Sequence, residues 1–509
     1  MIYSNYSVKT WVFTISDKKK LCKEFINMSE IKKIHMGPAK CAVDLGDGSE
    51  RGEYVNQDYI LNKLGRPHRA VSLMYCYYPL DETWPARARN AFKDKEITFQ
   101  WDYPYDDYFT YKGGIGGTTD DEPFTCMRDV RRHGQDVILT MTIDPNVTDD
   151  HLEQIGKELS TFGRMQLRIN HEATGNWFSF TKRATYQQVA DFYIHAREVI
   201  KKFAPNVQTI LCIGGVEHPE KGNEIEMEKE FADAVRATDI WSVDKYMALH
   251  WGWPFDVADE GGNSFGRSKV ADTYNLTKLS EKRYRELCGG EKKPMVMSEF
   301  NADGDVTGPY EQAEMVKEFC DMLKNDKDQG CFNGFTFYQF RDRGRLGLEI
   351  EDPNNADCGI EQPVMQTYKE IIHDEYFYPE IKAQGDAQFP AKLRWGGSED
   401  AEGIEIPLHF EKNPTFCEIT FDGEDAGLNL MMEINGKWFY KAPHAKTIDF
   451  MSAFFEKPLD GEADMTLKIF APPASGENVN DGSEDWMLNT YSTITKMPNI
   501  RIRFAPILK

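Results

Sequence analysis

At 509 residues the chain exceeds the length at which a single core keeps growing, and its 40% hydrophobic and 13% aromatic content suits a soluble protein of two or three domains. A net charge of −23 and a pI near 5.0 make nucleic acid and anionic membranes poor partners, because a field of that sign repels polyanions. No run approaches the ~20 apolar residues of a membrane span, so no membrane insertion is expected.

The opening segment, MIYSNYSVKTWVF, lacks the charged and long apolar regions of a secretory leader. The native location is then the cytoplasm or, if a leader has been removed, the periplasm or exterior. Residues 1–65 are expected to form an N-terminal segment, and the strand-like run YSVKTWVFTIS could pair with the C-terminal domain. The ten cysteines are scattered with no C-x-x-C pair, so a metal cluster or disulfide framework is not expected and they read as buried thiols.

From residue 66 to about 380, short β-rich apolar runs alternate with amphipathic helical stretches. The expected strands are 69–78, 96–105, 136–145, 164–172, 207–215, 239–251, 293–301 and 334–342. A helix over 186–203 places Val189, Phe192, Ala196, Val199 and Ile200 on one stripe, with Thr185 and Gln188 as a capping box. A second, over 310–324, follows Pro309. Eight such units predict a (β/α)8 barrel; a doubly wound sheet is disfavoured because no G-x-G-x-x-G loop follows the first strand. The run GGIGG (113–117) lacks the Lys-Ser/Thr ending of a phosphate loop and reads as a flexible linker. Residues 381–509 show alternating strands broken by Gly, Asp and Pro, which predicts an accessory β-sandwich.

In a barrel of this kind, functional groups project from the C-terminal ends of the strands. Those ends offer Asp102, Asp144, Asn170, His171 and Glu172, then Asp244 and Tyr246 with Trp251 and Trp253 just beyond, then Ser298, Glu299 and Tyr338. Carboxylates, amides and aromatic rings suit sugars, which need flat apolar faces and polar partners together. Glu172 and Glu299 are 127 residues apart, or three βα units of about 42, as strands four and seven of a barrel require. From there two carboxyls can face one another, one as proton donor and one as nucleophile for a glycosidic bond.

The segment RINHEATGNWFSF (168–180) resembles the R-x-x-H-E-x-x-G-x-W-F-x-W stretch of glycoside hydrolase family 26, within clan A. PMVMSEFN (294–301) resembles the clan's strand-seven nucleophile segment, and TFQWDYPYDD is similar to the family's second strand. The resemblance implies a retaining hydrolase with Glu172 as acid/base and Glu299 as nucleophile. It further implies that His171 shapes the catalytic subsite, that Trp177 is the motif's aromatic, and that Tyr246 hydrogen-bonds the nucleophile. Phe180 and YQFRD depart from the pattern, where the family has tryptophans.

The expected substrate is a β-linked polysaccharide or oligosaccharide of mannan, glucan or xylan type, cleaved within the chain. Its contacts would come from His171, Arg168, Trp177, Tyr246, Trp251, Trp253, Asp102 and Tyr338, with Arg168 equally suited to bracing a carboxylate. No cofactor and no metal are implied, since HEATG does not continue as H-E-x-x-H. The alternatives are a non-catalytic carbohydrate-binding barrel, a clan A enzyme of another specificity and a metal-dependent deacetylase.

Overall fold

The structure, a computed structural model, describes residues 31–47, 54–84, 109–249, 269–328, 331–342, 344–355, 357–472 and 490–505. Nine strands organise its first two thirds: β1 (Lys32–Gly37), β2 (Ala42–Gly46), β3 (Ala70–Tyr77), β4 (Asp136–Ile143), β5 (Met165–Ile169), β6 (Val207–Cys212), β7 (Ile240–Asp244), β8 (Met295–Phe300) and β9 (Gly334–Phe337). Strands β2 to β9 close into one parallel eight-stranded ring in chain order.

The ring begins at β2, ahead of the expected boundary at residue 66. Its AVDLG run is only five residues, all buried, and too short to stand out as a periodic strand. β3 pairs directly with β4, so the ring closes without the expected strand at 96–105. Those residues, like the run YSVKTWVFTIS, lie outside the described ones. Because β2 is added at one side and 96–105 is not used, the residues before Glu172 and around Glu299 remain strands four and seven. Val43, Leu73, Leu139, Leu167, Leu211, Val243, Met297 and Phe335, each at most 2% exposed, pack with helix residues such as Val189, Ala196, Ile200 and Phe319 in one apolar layer.

Helices fall where the hydrophobic stripes place them. Tyr186–Phe203 starts at a capping box between Thr185 and Gln188, and Pro309–Asn325 starts with proline in its first turn. Among the described cysteines Cys288 and Cys358 alone are not buried, and all are free thiols.

The C-terminal region is an antiparallel β-domain. Its larger sheet runs, in order, Glu380–Asp386, β1, Asp400–Phe410, Ala463–Phe470, Leu430–Ile434 and Lys437–Lys441; a second sheet joins Thr447–Asp449, Phe416–Thr420 and Asn499–Arg503. Strand β1 therefore pairs in the sandwich, between segments more than 340 residues further along. The two domains share an apolar seam of Ile34, Met36, Leu61, Trp395, Met431, Trp438 and Phe470. Asn429 donates to the Arg132 carbonyl at 2.9 Å and the Trp438 N–H to the Gly65 carbonyl at 2.8 Å. Arg132 and Gly65 precede β4 and β3, so the sandwich docks at the N-terminal rim and leaves the C-terminal mouth clear.

Candidate active site

β5 ends at Ile169, and the chain then turns sharply through Asn170 (φ 51°) and Glu172 (φ 47°). Left-handed backbone costs a non-glycine residue about 1–2 kcal/mol, so outside contacts must hold it. The Ile143 N–H donates to the Asn170 side chain at 2.6 Å, and the Ala173 N–H donates to the Cys212 carbonyl at 3.0 Å. The turn is thus tied to β4 on one side and β6 on the other. The indole N–H of Trp177 donates to Glu172 Oε2 at 3.2 Å. A Cβ at Gly175 would fall 2.7 Å from the Trp177 ring, so glycine is needed for the indole to fold back in this way.

Glu299 comes from β8, opposite Asp244 of β7 in the strand register. Both of its oxygens are engaged: Tyr246 donates its hydroxyl to Oε2 at 2.7 Å, and Arg168 donates to Oε1. The same guanidinium lies 3.5 Å from Asp244 Oδ2. One oxygen from each of Glu172, Asp244 and Glu299 lies within 4.8 Å of the other two. Carboxyls from three strands therefore converge on one point.

Among the described residues, one cation, Arg168, faces these three acids. Burial, then the charge of Glu299, raises the Asp244 pKa to about 7, against the pull of Arg168. Burial also works against the charge of Arg168, but Asp244 and Glu299 outweigh it and its pKa rises. His171, 2% exposed and beside Arg168, is held well below the usual imidazole range by burial and by that cation. It is a neutral ring packed edge-on against Phe178 at 4.4 Å. Three carboxylates could also bind a hard cation, but Arg168 already supplies positive charge to two of them.

The residues singled out in the sequence separate into three groups. Glu172, Glu299, Trp177 and Tyr246 meet at the mouth, and Tyr338 packs edge-on to Tyr246 with ring centres 6.0 Å apart. Arg168, 1% exposed, lies beneath the carboxylates with its guanidinium taken up by them, so it braces the site and has no face open to a sugar. Asp102, Trp251 and Trp253 lie outside the described residues. Below Glu299 a cavity of about 20 Å³, lined by Ser72, Arg168, Ser298, Thr336 and Gln339, has room for one water and none for a sugar ring.

Two features were not assigned from the sequence. Asp244 was visible at its strand end, but the sharing of Arg168 depends on pairing across the ring. Thr174 and Glu226, considered below, carried no motif. GGIGG also differs from the flexible linker expected. The Gly114 N–H donates to Glu158 at 2.9 Å, and the Tyr111 hydroxyl donates to the same carboxylate at 2.5 Å.

No protein-family model matches the chain, and no curated protein sequence matches it. Solved structures do align with it. A modular endo-β-1,4-mannanase from Cellulomonas fimi, of glycoside hydrolase family 26, is 11% identical over 84% of this chain and 93% of its own, with a TM-score of 0.41. The catalytic domain of a family 26 endo-β-1,4-mannanase from Bacillus sp. JAMB-750 is 13% identical over 67% and 87%, with a TM-score of 0.43. An α-L-arabinofuranosidase from Thermotoga maritima is 10% identical over 94% and 99%, with a TM-score of 0.41.

Proposed function

We propose that this protein is a retaining glycoside hydrolase that cleaves β-linked glycan by double displacement. One observation carries the proposal: carboxyl oxygens of Glu172 and Glu299 approach within 4.8 Å at the mouth of the barrel. An approach this close between one oxygen of each carboxyl favours the ~5–5.5 Å carboxyl separation of retaining enzymes over the ~6.5–9.5 Å of inverting ones.

The surroundings divide the roles. Glu299 accepts a charge-assisted hydrogen bond from Arg168 and another from Tyr246, which fix the orientation of its carboxylate for attack. It attacks the anomeric carbon while Glu172 gives its proton to the departing glycosidic oxygen. Water then attacks the same carbon, its proton passing to Glu172 as the bond to Glu299 breaks. The Trp177 indole orients Glu172, and Trp177 and Tyr338 would line the sugar's path. The chemistry requires no cofactor. Mannan, β-glucan and xylan are the substrate classes, with cleavage inside the chain.

A panel of these polysaccharides read by product length tests substrate and mode of attack together, and proton NMR of the first products reads the anomeric configuration. Retention is expected; inversion would rule out double displacement. Binding to a glycan with no turnover on any would favour the non-catalytic barrel.

A further inference from the structure

The loop that carries Glu172 is fastened to the end of β6 by a second set of contacts. The Gly214 N–H donates to Thr174 Oγ1 at 3.0 Å, and that hydroxyl donates to Glu226 Oε2 at 2.7 Å. Thr174 is 4% exposed, so water offers its hydroxyl little alternative, and both its donor and its acceptor capacity are used. Glu226 arrives from the far end of the loop that leaves β6. That loop folds back through a bridge between Val216 and Ile225, and the Glu226 N–H donates to the Gly215 carbonyl at 3.3 Å. The fit is close. A Cβ at Gly214 would lie 1.9 Å from Glu226 Oε2 and 2.8 Å from its Cβ, so a larger residue would displace the carboxylate. Burial raises the Glu226 pKa, while the Thr174 hydroxyl opposes the rise.

Glu226 has no part in the reaction scheme, yet it ends a chain of contacts that begins two residues from Glu172. Left-handed backbone at Glu172 persists only where its neighbours over-determine it. We infer that Thr174 and Glu226 are positioning residues that clamp the loop so that the Glu172 carboxyl stays turned toward Glu299. This inference rests on the glycosidase reading of the site. Loosening the clamp misplaces the proton donor and leaves the nucleophile, braced separately by Arg168 and Tyr246, where it was.

Leaving groups distinguish such a defect. A phenolate departs poorly without a proton, whereas 2,4-dinitrophenolate needs none. Thr174→Val removes the hydroxyl at constant shape, and Gly214→Ala displaces Glu226 with the hydroxyl intact. Both are assayed as the full chain on phenyl and 2,4-dinitrophenyl β-glycosides of the sugar that the unaltered protein releases. For the phenyl glycoside kcat/KM falls about 10–100-fold, and for the dinitrophenyl glycoside less than about threefold, as expected when only general acid catalysis is impaired. Azide raises kcat on the dinitrophenyl substrate, and Thr174→Ser recovers most of the phenyl activity. Should Gly214→Ala fail to fold, Glu226→Ala makes the same separation by deleting the acceptor. Equal losses on both leaving groups, or no loss on either, would overturn the clamp and leave the two glutamates' roles intact. No turnover by the unaltered protein on any aryl glycoside or polysaccharide would instead overturn the glycosidase reading, and the clamp with it.

Discussion

At the N-terminal rim of the barrel, Asp136 accepts from two guanidiniums, Arg131 at 2.7 Å and Arg164 at 2.8 Å, and Arg69 is paired with Asp44 alongside. At the mouth, among the described residues, the ratio is reversed: Arg168 serves both Asp244 and Glu299, with Glu172 close by. Both clusters are buried, so both carry the desolvation cost of charge. At the rim, cations surround an acid under the docked sandwich. At the mouth, acids outnumber the cation among the described residues, and burial followed by the charge of Glu299 raises the pKa of Asp244. A fold that satisfies its polar groups elsewhere tolerates such an imbalance where chemistry needs it.

The contrast can be broken from either end. Glu299→Ala should lower kcat by about 10,000-fold or more while leaving stability unchanged or improved, because Arg168 keeps Asp244 as its partner. Urea denaturation alongside kinetics checks both halves; a large stability loss would contradict the picture of crowded acids. Asp136→Ala should do the opposite. It leaves the buried Arg131 and the half-buried Arg164 without their acid, for a loss of about 3–5 kcal/mol carried mainly by Arg131, while kcat/KM per folded molecule holds.

Two pH dependences of the same sign arise from opposite causes. Asp244 ionises in the folded protein near pH 7, above its unfolded value near 4, so the folded state binds more protons in that window and stability falls as pH rises through it. The slope is at most about 1.4 kcal/mol per pH unit, and Asp244→Asn should flatten it. At the rim, burial opposes the charge of His133, but Asp129 and Asp58 outweigh it and raise its pKa to about 9. Its contribution is fully present below about pH 6.5 and lost as pH rises through 9, about 3 kcal/mol in all. Thermal unfolding of His133→Gln across pH 6–10 should show no such decline. The smallest expected effect is at Trp177. Replacement by phenylalanine keeps a ring and removes the donor to Glu172, for about a tenfold fall in kcat/KM on unactivated substrates. An unchanged rate would mean that the indole N–H does not orient the acid.

Legibility followed the range of the interaction. The helix at Tyr186–Phe203 and its capping box were readable because stripe and cap lie within one segment. The strands from β3 to β9 stood out as apolar runs, whereas β2, five residues long, did not. Glu172 and Glu299 were visible because strand ends are countable. Arg168 was harder: its sequence neighbours suggested contact with substrate or a brace, and only its burial and its bond to Glu299 separate the two. The GGIGG run misled, since its anchor, Glu158, lies 44 residues away from Gly114.

Pattern and spacing alone sufficed for alternating barrel units, a β-rich C-terminal domain and two glutamates three units apart, because each depends on periodicity along the chain. Tertiary structure decided the rest: which strand opens the ring, how β1 enters the sandwich, and that one arginine serves two acids. Those outcomes turn on pairings between segments as distant as Arg168 and Glu299, 131 residues apart, and burial settles them in a way that no local pattern encodes.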